Sequence, residues 1–543
     1  MTPGDSRDVA PDAVVAGNVA AEDVAAEDVA PHRVAPDAVA DRDTGPDVPA
    51  GDDVAALGRV HLVGVGGAGM SAVAALLVAR GLTVSGSDAR DSAVVAALRD
   101  AGVRVHVGHD AAHLEGADTV VVSSAVRETN PELARARADG LRVLHRSQAL
   151  AALMAGRRSV AVAGAHGKTT TSAMVAVALL AAGADPSYAI GGTVLAGLTG
   201  DVAPASGPLA GARHGRGDVF VAEADESDGS FLAYRPAVAV VTNVEPDHLD
   251  HYGTRAAFER AFEEFAGRVT DGGALVACTD DDGSRRLLSD VGSDLAGRGV
   301  RVIGYGQDAA ADVVVGGYRA GPGAGSTLTL RTAHPDLVEA PGSVLRVELE
   351  LAVPGAHNAL DAAAAWTAAR LFGAGAADVR RGLAEFRGTG RRFEVRGTAG
   401  GVRVVDDYAH HPTEVAALLR AARPVADGGR VLVLFQPHLY SRTRTFAAEF
   451  ADALSLADAV VVTDVYAARE DPDPAVTGAT ITERMPDPSR AEFVADRHTA
   501  AARVAQLART GDLVLTVGAG DVTELAPVLL AALGARGTGG SPS

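Results

Sequence analysis

One short stretch limits the fold of this chain more than any other: an apolar strand that stops at a glycine turn and resumes as a helix on the only lysine present. Val160-Ala161-Val162-Ala163 has the length and composition of a buried strand. Gly164-Ala165-His166-Gly167 breaks that pattern, and Lys168-Thr169-Thr170-Thr171 opens a helical run through Met174, Val175 and Leu179. Strand, turn and helix start together aim backbone N–H groups and a helix dipole at an anion. Of 49 basic residues, Lys168 is the single lysine. A phosphate loop needs a compact ammonium beside the phosphates, and a planar guanidinium does not fill the same space. The bland alternative, a solvated lysine on an ordinary turn, leaves this selective retention unexplained. The spacing is the short form G-x-x-G-K-T, with Val162 where a longer loop would place its first glycine.

Upstream, a strand from Arg59 to Val63 runs into Gly64-Val65-Gly66-Gly67-Ala68-Gly69 and a helix beginning near Met70. The next strand ends in Ser87-Asp88, so an acid follows the glycines at the distance seen in dinucleotide-binding turns. This pattern fits a diphosphate on the helix start without requiring that it belong to a nicotinamide. A further strand, Thr119 to Val122, ends in Ser123-Ser124, where open α/β sheets expose ligand loops.

Downstream of the lysine turn, a strand from Asp218 to Val221 ends in Glu223-Ala224-Asp225-Glu226-Ser227-Asp228. Carboxylates at the end of a buried strand are costly unless a cation sits among them. A magnesium shared with nucleotide phosphates fits, because Mg²⁺ prefers hard oxygen ligands. The strand Ala237 to Thr242 leads into a second polar run containing His248, a candidate second-metal ligand against the blander reading of a satisfied surface histidine. Residues 312–352 alternate apolar with polar around glycine turns and read as antiparallel strands appended to a parallel sheet. Asn358 opens an alanine-rich helix, either as a plain cap or as a nucleotide contact.

Gly388-Thr389-Gly390-Arg391-Arg392 reads as a domain junction. Beyond it, strands ending at Val405, Phe435, Val465 and Val517 are each followed by a polar cluster. Four such clusters at strand C-termini make a ligand-facing edge. Composition excludes several other classes. A net charge of −20 argues against wrapping nucleic acid. No apolar run reaches the length of a membrane span. One cysteine, Cys278, rules out a disulfide framework and suits a reducing cytoplasm, and the acidic start shows no basic-then-apolar leader. Residues 1–57 carry thirteen acidic side chains against three arginines and few large apolar groups, so they read as a disordered arm.

The expectation is an α/β protein of three domains after residues 1–57. A Rossmann-like domain spans 58–155, a central P-loop ATPase-type mixed-sheet domain 156–388, and a C-terminal Rossmann-like domain 389–535. A phosphate loop, metal-binding acids and paired arginines suit phosphoryl transfer, where catalysis is mostly positioning and charge neutralisation. From the residues alone, an ATP-using kinase and an ATP-using ligase both remain open.

Six stretches, in order, go further: GVGGAGMS at 64–71, GAHGKTTT at 164–171, EADESD at 223–228, NVEPDHLD at 243–250, DDYAHHPTE at 406–414 and FQPHLYSRT at 435–443. Together they resemble the Mur ligases, over about residues 59–525. Within that family they are most similar to the branch that joins L-alanine to UDP-N-acetylmuramate through an acyl phosphate. The resemblance implies ATP and Mg²⁺ as cofactors. It implies that Gly164, Ala165, His166, Gly167, Lys168, Thr169 and Thr170 hold the ATP phosphates, with Asn358 at adenine, Asp407 at the ribose and Arg392 at the γ-phosphate. Thr169, Glu223 and His248 would serve the metals, and Lys168, His248 and Arg392 the chemistry. Gly66, Gly67, Ala68, Gly69, Ser87, Asp88, Ser123 and Ser124 would bind the UDP-sugar, and Tyr408, His410, His438 and Arg442 the alanine. The partners implied are these small molecules, without nucleic acid or membrane, and oligomeric state stays open.

Three positions depart from the family pattern: Asp361 for a second asparagine, Leu439 for an arginine and Ala165 for a threonine. The single lysine also disfavours those family members that bridge their metals with a carbamylated lysine. An NAD-dependent oxidoreductase would leave the lysine turn idle. A ligase that recycles a preformed peptide is the nearer rival, disfavoured by FQPHLYSRT. A catalytically silent scaffold fits least, since every phosphate and metal position is filled.

Overall fold

The computed structural model describes residues 54–321, 323–468 and 470–538. The arm expected over residues 1–57 therefore lies almost wholly outside the described residues. Its last four, Val54–Leu57, form a 3-10 turn with Val54 and Leu57 buried, and the Leu57 carbonyl accepts from Thr119 Oγ1 at 2.8 Å.

Among the described residues three large sheets form the frame, and a fourth has only the two antiparallel strands Val194–Ala196 and Phe386–Thr389. The first has five parallel strands in the order Arg104–Val107, Val84–Asp88, Val60–Val63, Thr119–Val122, Arg142–His145. Strand order reverses between Val60–Val63 and Thr119–Val122, so the glycine turn after Val63 and the serines after Val122 border one crevice.

The second sheet has ten strands, with Arg158–Ala163 flanked on both sides by parallel partners. Val160 lies between Val221 of Val219–Glu223 and Val238 of Val238–Val241. Both neighbours run on into the acidic loops, and that register sets carboxylates on either side of the lysine turn. The strand Val313–Ala320 differs from expectation on one edge: it pairs parallel with Arg301–Gly306, and only Ser326–Thr332 and Leu345–Leu351 beyond it run antiparallel.

The helix Lys168–Ala181 starts on Gly167, whose φ of 82° lies in the left-handed region that glycine tolerates. It is buried from Thr170 onward, between the helices Ala356–Leu371 and Ala376–Glu385. Gly382 permits that closeness, since a Cβ there would stand 2.7 Å from the Ala178 Cα. Trp366 fills the same core without exposure.

The third sheet orders Glu394–Ala399, Val402–Asp407, Leu513–Val517, Val431–Phe435, Ala459–Val462 and Ala491–Phe493, all parallel after the first pair. Two strand ends differ from expectation. Asp406 and Asp407 pair with Thr516 and Val517 inside the ladder, and the strand expected to reach Val465 stops at Val462. Among the described residues no helix is long and apolar enough to cross a membrane.

Candidate active site

The Lys168 ammonium curls back over its own turn, donating to the Gly164 carbonyl at 2.7 Å and to Ala165 at 3.2 Å. Its charge partner is Glu226, fully buried, at 2.8 Å. Burial alone would lower the lysine pKa, but the Glu226 and Asp225 carboxylates outweigh it and hold the ammonium above its usual value. An anion approaching this turn would compete with Glu226 for the same cation. The turn is fixed from the side by Asn243, which accepts from His166 N–H at 2.9 Å and donates to the His166 carbonyl at 3.0 Å.

Thr169 Oγ1 lies 2.9 Å from Glu223 Oε1. Octahedral oxygens at about 2.1 Å from a Mg²⁺ are themselves about 2.9 Å apart, so this hydroxyl and carboxylate fit adjacent positions around such a cation. Glu223 Oε2 also accepts from Gly191 N–H at 2.6 Å. His248 does not meet Glu223 directly; its Nε2 is 3.8 Å from Glu226 and 3.6 Å from Asp247. Burial and the neighbouring cations hold its pKa below the ordinary value against the pull of Asp247, which favours the neutral imidazole. Its φ of 52° is unusual for a residue with a Cβ.

A cavity of about 340 Å³ opens between the second and third sheets. It is lined by the lysine turn, Asn358, Asp361, Arg392, Asp407 and Glu414, among others. Asn358 donates to the Pro354 carbonyl at 2.6 Å, and Asp361 accepts from Thr171 Oγ1 at 2.9 Å. Burial raises the Asp361 pKa to about 7 and that of Asp407 to about 6. Asp407 accepts two backbone N–H groups, from Phe393 at 2.7 Å and Ala409 at 2.8 Å. Arg392 lies 3.4 Å from Glu414, and burial does not discharge it because that carboxylate holds its pKa up.

A smaller cavity, about 200 Å³, separates the first and second sheets and is lined by Gly66, Ala68 and Ser71 on one side and by Gly191 and Thr193 on the other. Gly66 N–H donates to Asp88 at 2.9 Å, so the acid braces the glycine turn. Gly69 leaves room for Arg146, whose guanidinium would collide with any Cβ there and pairs with Asp225 at 3.2 Å. Ser124 is exposed and Ser123 half-buried at the opposite strand end. Ser87 departs from expectation. It is fully buried, and its hydroxyl donates to Glu132 at 2.6 Å, with His61, His109 and His113 around the same carboxylate. The structure turns that side chain into the domain interior, away from the cavity.

At the third sheet, the Tyr408 ring is flanked by two guanidinium groups, Arg391 at 4.9 Å and Arg392 at 5.2 Å. His410 packs on Tyr408 and faces His438 at 5.9 Å between ring centroids, and His438 stacks on Tyr466 at 5.8 Å. Arg442 does not join them as expected. It is buried and pairs with Asp247 at 3.0 and 3.2 Å, where the short helix Tyr440–Thr445 meets the loop after Val238–Val241. Leu439, at the arginine position, adopts φ 69° and buries its side chain.

Sequence reasoning did not single out Glu226 as the partner of Lys168, nor Glu414 as the hub joining His166 at 3.3 Å, His410 at 3.2 Å and Arg392. The i, i+4 spacing of His410 and Glu414 across a helix start was the available signal.

Residues 59–158 match the model of the Mur ligase family, catalytic domain; residues 162–369 that of the Mur ligase middle domain; and residues 391–520 that of the Mur ligase glutamate ligase domain. The chain is 60% identical over 497 residues to UDP-N-acetylmuramate–L-alanine ligase of Kineococcus radiotolerans, covering 91% of this chain and 100% of that one. It is 55% identical over 477 residues to the enzyme of that name from Renibacterium salmoninarum, covering 88% and 96%. Among solved structures it is similar to UDP-N-acetylmuramate-alanine ligase from Thermotoga maritima, with a TM-score of 0.69, 29% identity, and coverage of 88% and 99%. It is also similar to a murein peptide ligase from Psychrobacter arcticus, with a TM-score of 0.63, 25% identity, and coverage of 88% and 98%.

Proposed function

We propose how this chain, which belongs to the Mur ligase family, performs its reaction: ATP-dependent joining of L-alanine to the lactyl carboxylate of UDP-N-acetylmuramate. The observation that carries the mechanism is one cavity lined by the lysine turn of the second sheet and by Arg392 and Glu414 at the third, with Glu226 and Glu223 bonded to Lys168 and Thr169 of that same turn.

The lactyl carboxylate attacks the γ-phosphorus of ATP and ADP leaves, giving an acyl phosphate. The alanine amine then attacks the acyl carbon, phosphate departs and the nitrogen loses a proton. Lys168 exchanges Glu226 for the β- and γ-phosphates, and Arg392 faces the γ-phosphate from the third sheet. Asn358 meets the adenine and Asp407 the ribose. Thr169 and Glu223, with His248, would hold Mg²⁺, which when bound neutralises the charge shared by the phosphates and the attacking carboxylate. Gly66 to Gly69 take the diphosphate, opposite Ser123 and Ser124.

Tyr408, His410 and His438 surround the amino acid, with one of the two facing imidazoles taking the amine proton. Closing the sheets on one another excludes water from the acyl phosphate. The use of ATP and of a sugar nucleotide, with the lone thiol of Cys278 free and buried, supports a cytoplasmic reaction.

Phosphate release from ATP·Mg²⁺ with UDP-N-acetylmuramate tests this reading. Release that requires free L-alanine supports it, and release only with an L-alanyl peptide transfers the assignment to the recycling reaction.

A further inference from the structure

His166, Glu245 and His411 converge from three separate loops. One ligand atom of each lies within 4.8 Å of the other two. His166 and Glu245 follow the strands Arg158–Ala163 and Val238–Val241 of the second sheet, whereas His411 precedes the helix Pro412–Val425 beside the third.

His411 is 3% exposed, and neither of its ring nitrogens has a hydrogen-bond partner. Orphaned buried imidazole nitrogens are costly and call for an explanation. His166 Nε2 has no well-aligned hydrogen bond either, and Glu245 Oε2 stands 3.2 Å from it. Both ligands are braced from behind. Glu414 Oε1 lies 3.3 Å from His166 Nδ1, and Thr413 Oγ1 donates to Glu245 Oε1 at 2.8 Å. A carboxylate behind a ligating imidazole and a hydroxyl behind a ligating carboxylate are the outer supports that metal sites use to fix ring and carboxylate orientation.

We propose that His166, Glu245 and His411 bind a late first-row divalent cation of the zinc class, at a site separate from the Thr169, Glu223 and His248 set. Two imidazole nitrogens and one carboxylate oxygen suit Zn²⁺ or Co²⁺ in tetrahedral geometry with water as fourth ligand, and suit Mg²⁺ poorly. The cation takes the Nε2 lone pair of His166, and the proton held there leaves to solvent. His166 and Glu245 line the nucleotide cavity, so an occupied site fastens its second-sheet wall to its third-sheet wall.

The test titrates Co²⁺ into the full-length protein in excess Mg²⁺ and follows the intense visible absorption of tetrahedral cobalt. One such site per chain is expected, displaced by Zn²⁺, weakened about tenfold or more in His411→Asn and in Glu245→Gln, and retained in His248→Asn. The two cluster variants bear on the proposal independently, should one fail to fold. Absence of the absorption in the native chain overturns it, as does a signal that survives both cluster substitutions or one that vanishes in His248→Asn.

Discussion

The guanidinium of Arg442 lies 3.0 and 3.2 Å from the two oxygens of Asp247, with less than a tenth of either side chain exposed. The pair ties the short helix Tyr440–Thr445 to the loop after Val241 and drives the Asp247 pKa far below its ordinary range, overcoming burial. Removing one partner of a buried pair strands the other charge, at roughly 3–5 kcal/mol. Arg442→Met is therefore expected to lower the melting temperature, and Asp247→Asn to do the same. A rise in the alanine KM of Arg442→Met with unchanged melting temperature would instead assign the guanidinium to the substrate.

Lys168→Arg is expected to lower kcat by about a hundredfold or more while leaving the melting temperature near that of the native chain. The guanidinium keeps the charge but does not reproduce the ammonium's fit between the Gly164 carbonyl and Glu226. Steady-state phosphate release together with calorimetry checks both halves.

Gly382→Val is expected to destabilise the central domain by about 1–3 kcal/mol. Its Cβ would meet Ala178 Cα at 2.7 Å and the Val177 carbonyl at 2.9 Å, both backbone atoms that retreat only if the helix Lys168–Ala181 shifts. Loss of ATP affinity should accompany the lower melting temperature, and ATP titration by calorimetry reads it.

Asp361→Asn is expected to stabilise the chain in a pH-dependent way. Burial raises this carboxyl from 3.8 to about 7, against the Thr171 hydrogen bond and the Arg392 charge. The folded chain thus binds its proton more tightly than the unfolded one, so the native residue costs stability progressively as pH rises from about 4 to 7. The asparagine variant should match the native chain near pH 4 and exceed it at pH 8, by at most about 4 kcal/mol. Melting curves at the two pH values decide, and a gap that does not widen with pH contradicts the assignment.

The elements of the site were legible because each rests on local chemistry. Gly164 to Lys168 declares a turn and a helix start within five residues, and Glu223 closes its strand. Partnerships across sheets were not legible. Which carboxylate of the 223–228 run meets Lys168 depends on the register between Val160 and Val221, and sequence spacing carries no record of it. Ser87 shows the same limit: it ends a strand at a crevice, yet a buried glutamate 45 residues on draws its hydroxyl inward. His166 and Glu414 are nearly 250 positions apart, and only the approach of two sheets makes them neighbours.

The arginine-for-lysine bias leaves one ε-amine in the entire chain, and it sits on the turn between Arg158–Ala163 and the following helix, 15% exposed. An amine-selective acylating reagent thus has two primary-amine targets, the α-amino terminus and Lys168. The second is protected by burial and by its carboxylate partner, and bound nucleotide would shield it further. Labelling stoichiometry above one per chain then reports how often the turn stands open, read by mass alone and without any coupled assay.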